Sequence, residues 1–107
     1  MSPWIITWIS VGLGLVVQQE TGDPGAGAAY ADKVCARCHT IKGARPSPEP
    51  TAPPFEVVAN TPGMTATALA VWLTTSHPTM PNIVLEQQDL DNVIAFILTL
   101  KDKPPLP

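Results

Sequence analysis

Cys35-Ala36-Arg37-Cys38-His39 is the stretch whose reading decides the fold. In helical backbone, two cysteines three apart share one face, so both thiols reach the same side of whatever is laid against them. The histidine that follows offers a neutral imidazole nitrogen, a common metal ligand. This is the spacing that attaches a c-type haem: the thiols meet the two vinyl groups along one porphyrin edge, and the imidazole rises under the iron. Three other chemistries use a similar motif. A thioredoxin-like dithiol sits near a βαβ pattern, which this chain lacks. A zinc site needs two further ligands; only His39 and His77 are available, and His39 adjoins Cys38 too closely to share one tetrahedral ion with it. A disulfide between residues three apart would constrain almost nothing. The haem reading stands above all three.

Length and composition agree with it. A chain of 107 residues allows one domain. Without its apolar N-terminus it keeps roughly 80 to 90 residues, a size at which an apolar core alone is marginal. A large buried macrocycle would supply what the polypeptide lacks. Thirteen prolines favour short helices and ordered loops over a continuous sheet, so the expected class is all-α. Six Lys and Arg against nine Asp and Glu give a net charge of −3, which weighs against nucleic acid as a partner.

Residues 1–17 read as a signal peptide or an N-terminal membrane anchor. Trp4 to Val17 carries no charge, and its length corresponds to about 21 Å of helix against a hydrocarbon core of about 30 Å. A signal-peptide apolar region fits that length better than a spanning helix, although no Lys or Arg precedes it. The alternatives are a retained tether through residues 4–17 and a misassigned start. Ala26-Gly27-Ala28 is the nearest small-residue cleavage site, but cutting there would remove Gly27. Each reading implies export, because haem c attachment is completed outside the cytoplasm; the expected location is periplasmic, with or without an anchor. Residues 18–24 read as a linker, 25–103 as the haem domain and 104–107 as a tail.

From Gly25 to Ala36 the pattern is helical, with Gly27, Ala31, Val34, Cys35 and Cys38 on one face. Gly27 there is a packing glycine or part of a frayed first turn. Ile41 to Pro62 holds six prolines and reads as an ordered extended loop along a haem edge, anchored by residues such as Phe55. Such a loop presents carbonyls at fixed positions, and Pro53 is the candidate acceptor for the second N–H of a ligating His39. Thr65 caps a helix over Ala66 to Thr75, which places Trp72 against the haem or within reach of a propionate. Ser76-His77-Pro78-Thr79-Met80-Pro81-Asn82 is a proline-flanked loop with a soft thioether, and Met80 is the candidate second axial ligand. Met80 as plain packing and His77 as the ligand are the alternatives; Met64 precedes the helix that brings the chain to the distal side. A last helix from Glu86 to Lys101 carries Leu90, Val93, Ile94, Ile97 and Leu98 as its apolar stripe, with Phe96 placed to cross Gly27.

From Gly27 to Lys101 the chain resembles the class I c-type cytochromes, and more narrowly the short bacterial monohaem cytochromes of alphaproteobacterial type. The resemblance rests on Gly27 eight residues before Cys35, the Cys35–His39 motif, Ser47-Pro48 leading to Ala52-Pro53-Pro54-Phe55, His77-Pro78-Thr79-Met80-Pro81, and Asp91 to Ile97. It implies a cytochrome c-like fold of three to four short helices around one haem c held through Cys35 and Cys38. It further implies His39 as the proximal ligand, Met80 as the distal one, Pro53 as the carbonyl acceptor, and a crossing of Gly27 with Phe96. Many relatives carry an aromatic four residues before the first cysteine; here Ala31 stands there, beside Tyr30.

Iron ligated by His39 and Met80 has no open position, so the expected activity is one-electron transfer rather than catalysis. The expected partners are periplasmic or membrane redox proteins: a dehydrogenase, an oxidase or another cytochrome. The alternative roles are a haem relay subunit of an oxidoreductase complex and a ligand-sensing or peroxidase haem with a displaceable methionine. Lys33, Arg37, Lys42 and Arg45 are not interrupted by any acid, and would form a basic rim near the attachment site within an acidic chain.

Overall fold

The computed structural model describes residues 22–102 and Gly12. The apolar segment 4–17 apart from Gly12, most of the linker 18–24, Lys103 and the tail 104–107 therefore lie outside the described residues. Four helices follow one another: α1 (Pro24–Val34), α2 (Phe55–Ala59), α3 (Ala66–Thr74) and α4 (Gln87–Thr99). No strand occurs among the described residues.

The start of α1 lies one residue before the expected boundary. Asp23 is its N-cap, accepting at 3.0 Å from the Gly25 N–H, and Pro24 occupies the first turn, where its missing N–H costs nothing. The end of the supposed linker therefore belongs to the domain. Asp23 N–H also donates to Asn92 Oδ1 of α4 at 2.8 Å, which ties the beginning of the chain's fold to its last helix.

The α1–α4 crossing is the principal packing of the fold. A Cβ on Gly27 would overlap the Asn92 carbonyl and stand 2.9 Å from Phe96 Cβ. The glycine is there because the two helices meet backbone against backbone. Ala31, one turn on, is fully buried; a larger side chain would lever the helices apart. The small residue at this position thus serves the close approach.

Leu90, Val93, Ile94 and Ile97 of α4 are buried, so the 3.6-residue stripe faces the core as expected. Leu69 of α3 and Phe55 and Ala59 of α2 close over it. Each such aliphatic side chain contributes about 1.5–3 kcal/mol by leaving water. Thr65 caps α3, its hydroxyl accepting from the Ala68 N–H at 3.1 Å.

The helix α2 corrects the reading of Ile41 to Pro62 as wholly extended. Pro54 occupies its N-cap position, and the stretch from Phe55 to Thr61 contains no proline, so one short helix forms once the prolines stop. Asn60 then binds the end of α4: its amide donates to the Leu100 carbonyl at 3.2 Å and its oxygen accepts from the Asp102 N–H at 2.8 Å. The Lys101 ammonium donates to the Met64 carbonyl nearby. These bonds tie the residues after α4 to the segment between α2 and α3.

Candidate functional site

A cavity of about 480 Å³ opens between the end of α1, the proline-rich loop and the 76–82 loop. Cys35, Cys38, His39, Pro53 and Met80 all line it. Residues up to 45 positions apart in sequence are thus drawn to one space.

The cysteines sit where α1 gives out. Cys35 is the C-cap, its N–H still bonded to the Ala31 carbonyl, and His39 N–H bonds the Cys35 carbonyl at 2.9 Å in the turn that follows. Neither cysteine is in a disulfide. Burial pushes the Cys35 thiol up to about 11, so it stays neutral at physiological pH. Among the described residues no group of three or more His, Cys, Asp or Glu could hold a metal ion.

The imidazole of His39 is held on two sides. Its Nδ1 lies 2.6 Å from the Pro53 carbonyl oxygen, and since a carbonyl can only accept, the proton resides on Nδ1. The ring rests against Phe55, with centroids 5.1 Å apart, and Phe55 in turn meets Phe96 at 6.4 Å. Phe55 is buried behind the imidazole and is not part of the cavity wall. The loop that carries Pro53 is anchored by a buried pair: Thr40 N–H donates to Ser47 Oγ at 3.1 Å, and Thr40 Oγ1 donates to the Pro46 carbonyl at 3.1 Å.

The opposite wall is the loop after α3. Thr74 and Thr75 hydroxyls turn back onto the Ala70 and Val71 carbonyls, both at 2.6 Å, as the helix ends. Ser76 Oγ and Asn82 Oδ1, 3.0 Å apart, close the neck of the loop. Thr79 adopts φ of 73°, a left-handed conformation that a β-branched residue adopts at a cost. Met80 follows directly, and its sulfur lies 3.1 Å from His77 Nε2. A second cavity of about 330 Å³ shares His77, Met80, Pro81 and Ile83 with the first. Trp72 lines this second space with half its surface exposed, its ring edge-on to His77 at 5.2 Å between centroids.

The sequence matches the cytochrome c family over residues 25–101. The chain belongs to that family. It is also 32% identical over 79 residues to cytochrome c-552 of Bradyrhizobium diazoefficiens, an alignment covering 74% of this chain and 76% of that one. No solved structure matches the chain. As a member of the family it carries one covalently attached haem c, through Cys35 and Cys38, and its work is electron transfer rather than catalysis.

The residues present fit that group. Two adjacent uncommitted sulfurs, an imidazole with its tautomer already set, a thioether across the cavity and walls from Val34, Pro53 and Ile83 make a mostly apolar slot with convergent donors. Charge is distributed unevenly around it. Lys33 and Arg37 border the cavity together with Glu49, whereas Lys42 and Arg45 lie along a separate, more open groove with Asp32, on the other side of His39. The uninterrupted basic run of the sequence is therefore two pairs in space.

Sequence reasoning singled out Cys35, Cys38, His39, Pro53 and Met80, which line one cavity, along with Phe55 and Trp72, which do not, and it missed two features of the loop after α3. The strain at Thr79 has no sequence signal, since left-handed positions are usually announced by Gly or Asn. The contact of His77 with Met80 had one: a histidine three residues ahead of the methionine, inside the same proline-flanked loop.

Proposed function

We propose that this chain carries single electrons with its haem iron held between His39 Nε2 and Met80 Sδ. The observation that carries the reading is the 2.6 Å bond from His39 Nδ1–H to the Pro53 carbonyl. It commits the proton to Nδ1, leaves the Nε2 lone pair for a metal, and raises the basicity of that nitrogen. Met80 lines the same cavity and supports the second half of the proposal.

The haem supplies a one-electron couple. His39 provides a directed nitrogen, kept in one orientation by Pro53 on its edge and Phe55 on its face. Met80 provides a soft sulfur whose ligation favours the reduced state and raises the potential. With both axial positions filled by the protein, no site remains for oxygen, peroxide or a substrate. The Thr40–Ser47 anchor and the Ser76–Asn82 neck hold the two ligand loops, so little reorganisation accompanies a change of oxidation state.

The electron enters and leaves where the slot is open, and Lys33 and Arg37 at its border favour an acidic redox partner there. The chain acts outside the cytoplasm, in the periplasm, with residues 4–17 serving for export or as a tether. Transfer rates that fall steeply with salt are expected for such docking, and salt-independent rates would count against it.

The decisive experiment is an optical spectrum of the oxidised, matured protein. A weak far-red sulfur-to-iron band is expected, and Met80→Ala should abolish it. A resting protein with a vacant sixth position would overturn the reading.

A further inference from the structure

We infer that His77 is a reserve axial ligand, set to take the position of Met80 when that sulfur withdraws. The inference rests on the proposed ligation by Met80 and concerns what the distal loop does when it is lost.

Three observations converge. First, His77 Nε2 and Met80 Sδ are 3.1 Å apart, so two ligand atoms on one loop approach nearly the same point. Both residues line the cavity that holds His39. Second, His77 Nδ1 lies 3.3 Å from the Thr75 carbonyl oxygen. A thioether sulfur can only accept, so in this contact the proton sits on Nε2; when the sulfur leaves, the Thr75 carbonyl is in place to accept from Nδ1–H of the other tautomer, which frees the Nε2 lone pair. That second tautomer is the one found at His39, where the Pro53 carbonyl accepts from Nδ1–H. A backbone carbonyl on one ring nitrogen is the usual preparation of the other for a metal. The edge of Trp72 against His77 keeps the ring turned this way.

Third, the backbone between the two ligand atoms contains the strained Thr79, with φ of 73°. Relaxation at that residue swings Met80 outward while the Ser76–Asn82 neck stays closed and keeps His77 inside the loop. The exchange breaks one iron–sulfur bond and forms one iron–nitrogen bond. No electron is transferred and no net proton is lost: the Nε2 proton passes to water as Nδ1 receives one, which the Thr75 carbonyl accepts, and the freed Nε2 lone pair forms the new bond. Replacing thioether by imidazole lowers the reduction potential, so the exchanged form holds its iron oxidised.

The test uses the matured holoprotein in four forms: wild type, Met80→Ala, His77→Ala/Met80→Ala, and Met80→Leu. The wild type is expected to show the far-red band. Met80→Ala is expected to lose it yet remain low-spin without added ligand, with a potential below wild type. The double variant is expected to become high-spin. If Met80→Ala fails to mature, Met80→Leu, which keeps apolar bulk in the loop, is expected to be low-spin in the same way. A high-spin single variant would overturn the inference, as would a double variant that stays low-spin. Absence of the band from the wild type would instead overturn the Met80 reading on which it rests.

Discussion

The backbone of Gly27 in α1 lies directly on the Asn92 carbonyl in α4, with no room for a methyl group between them. Both atoms at fault belong to helical backbone, so neither can turn aside as the end of a flexible side chain would. Gly27→Ala is expected to destabilise the holoprotein by about 3 kcal/mol, the upper end of the ordinary cost of overpacking. Denaturant titration measures it. A loss under about 1 kcal/mol would show that the two helices slide apart easily.

Asn92 is buried, and its side-chain oxygen accepts from both the Asp23 N–H at 2.8 Å and the Gln88 amide at 2.9 Å. Asn92→Ala removes the side-chain oxygen through which α4 accepts the Asp23 N–H. A loss of about 1–2 kcal/mol is expected, with faster hydrogen exchange at the Asp23 amide. Unchanged exchange there would mean that the start of the domain is held by packing alone.

Ser47→Ala strips the acceptor from the buried Thr40 N–H. An unpaired buried donor costs about 1–3 kcal/mol, and the loss is expected in that range. Because the same loop carries Pro53, the His39 ring signals in the NMR spectrum of the oxidised holoprotein should broaden or shift. Full stability with unmoved His39 signals would contradict the anchoring role given to this pair.

Tyr30 is the sole tyrosine, so its ionisation can be followed alone. Burial pushes its phenol above the ordinary value of 10.0, with the Asp89 and Glu86 carboxylates adding to the effect. Folding therefore favours the neutral ring. That contribution is complete below about pH 10 and is lost as the pH rises through the folded value. NMR titration should place the Tyr30 midpoint above that of an unfolded peptide, and Asp89→Asn should lower it. A midpoint at or below the peptide value would refute the packing of this ring.

Much of this was legible in the order of residues. The Cys35–His39 spacing demanded one cofactor, and the α4 stripe from Leu90 to Ile97 demanded one buried face; both follow from fixed helical geometry. The capping of α3 by Thr65 is a local bond that needs no tertiary partner. The extent of the Ile41–Pro62 loop was less legible, because proline marks where helix is forbidden and leaves silent the gap at Phe55–Ala59 where it is allowed. The basic run from Lys33 to Arg45 misled in a similar way, since chain order does not say that Lys33 and Arg37 border the cavity while Lys42 and Arg45 border a separate groove.

By itself, then, the sequence determined the cofactor, the all-α class and the two cysteines, Cys35 and Cys38, that hold the haem. Those depend on side-chain chemistry and on spacings of a few residues. Only the tertiary structure decided that Asn92 lies against Gly27, that Phe55 stands behind His39 rather than in the cavity, and that His77 touches Met80 across a strained Thr79. Contacts of that kind arise when helices and loops far apart along the chain compete for one small volume, and packing, not local pattern, settles which atoms meet.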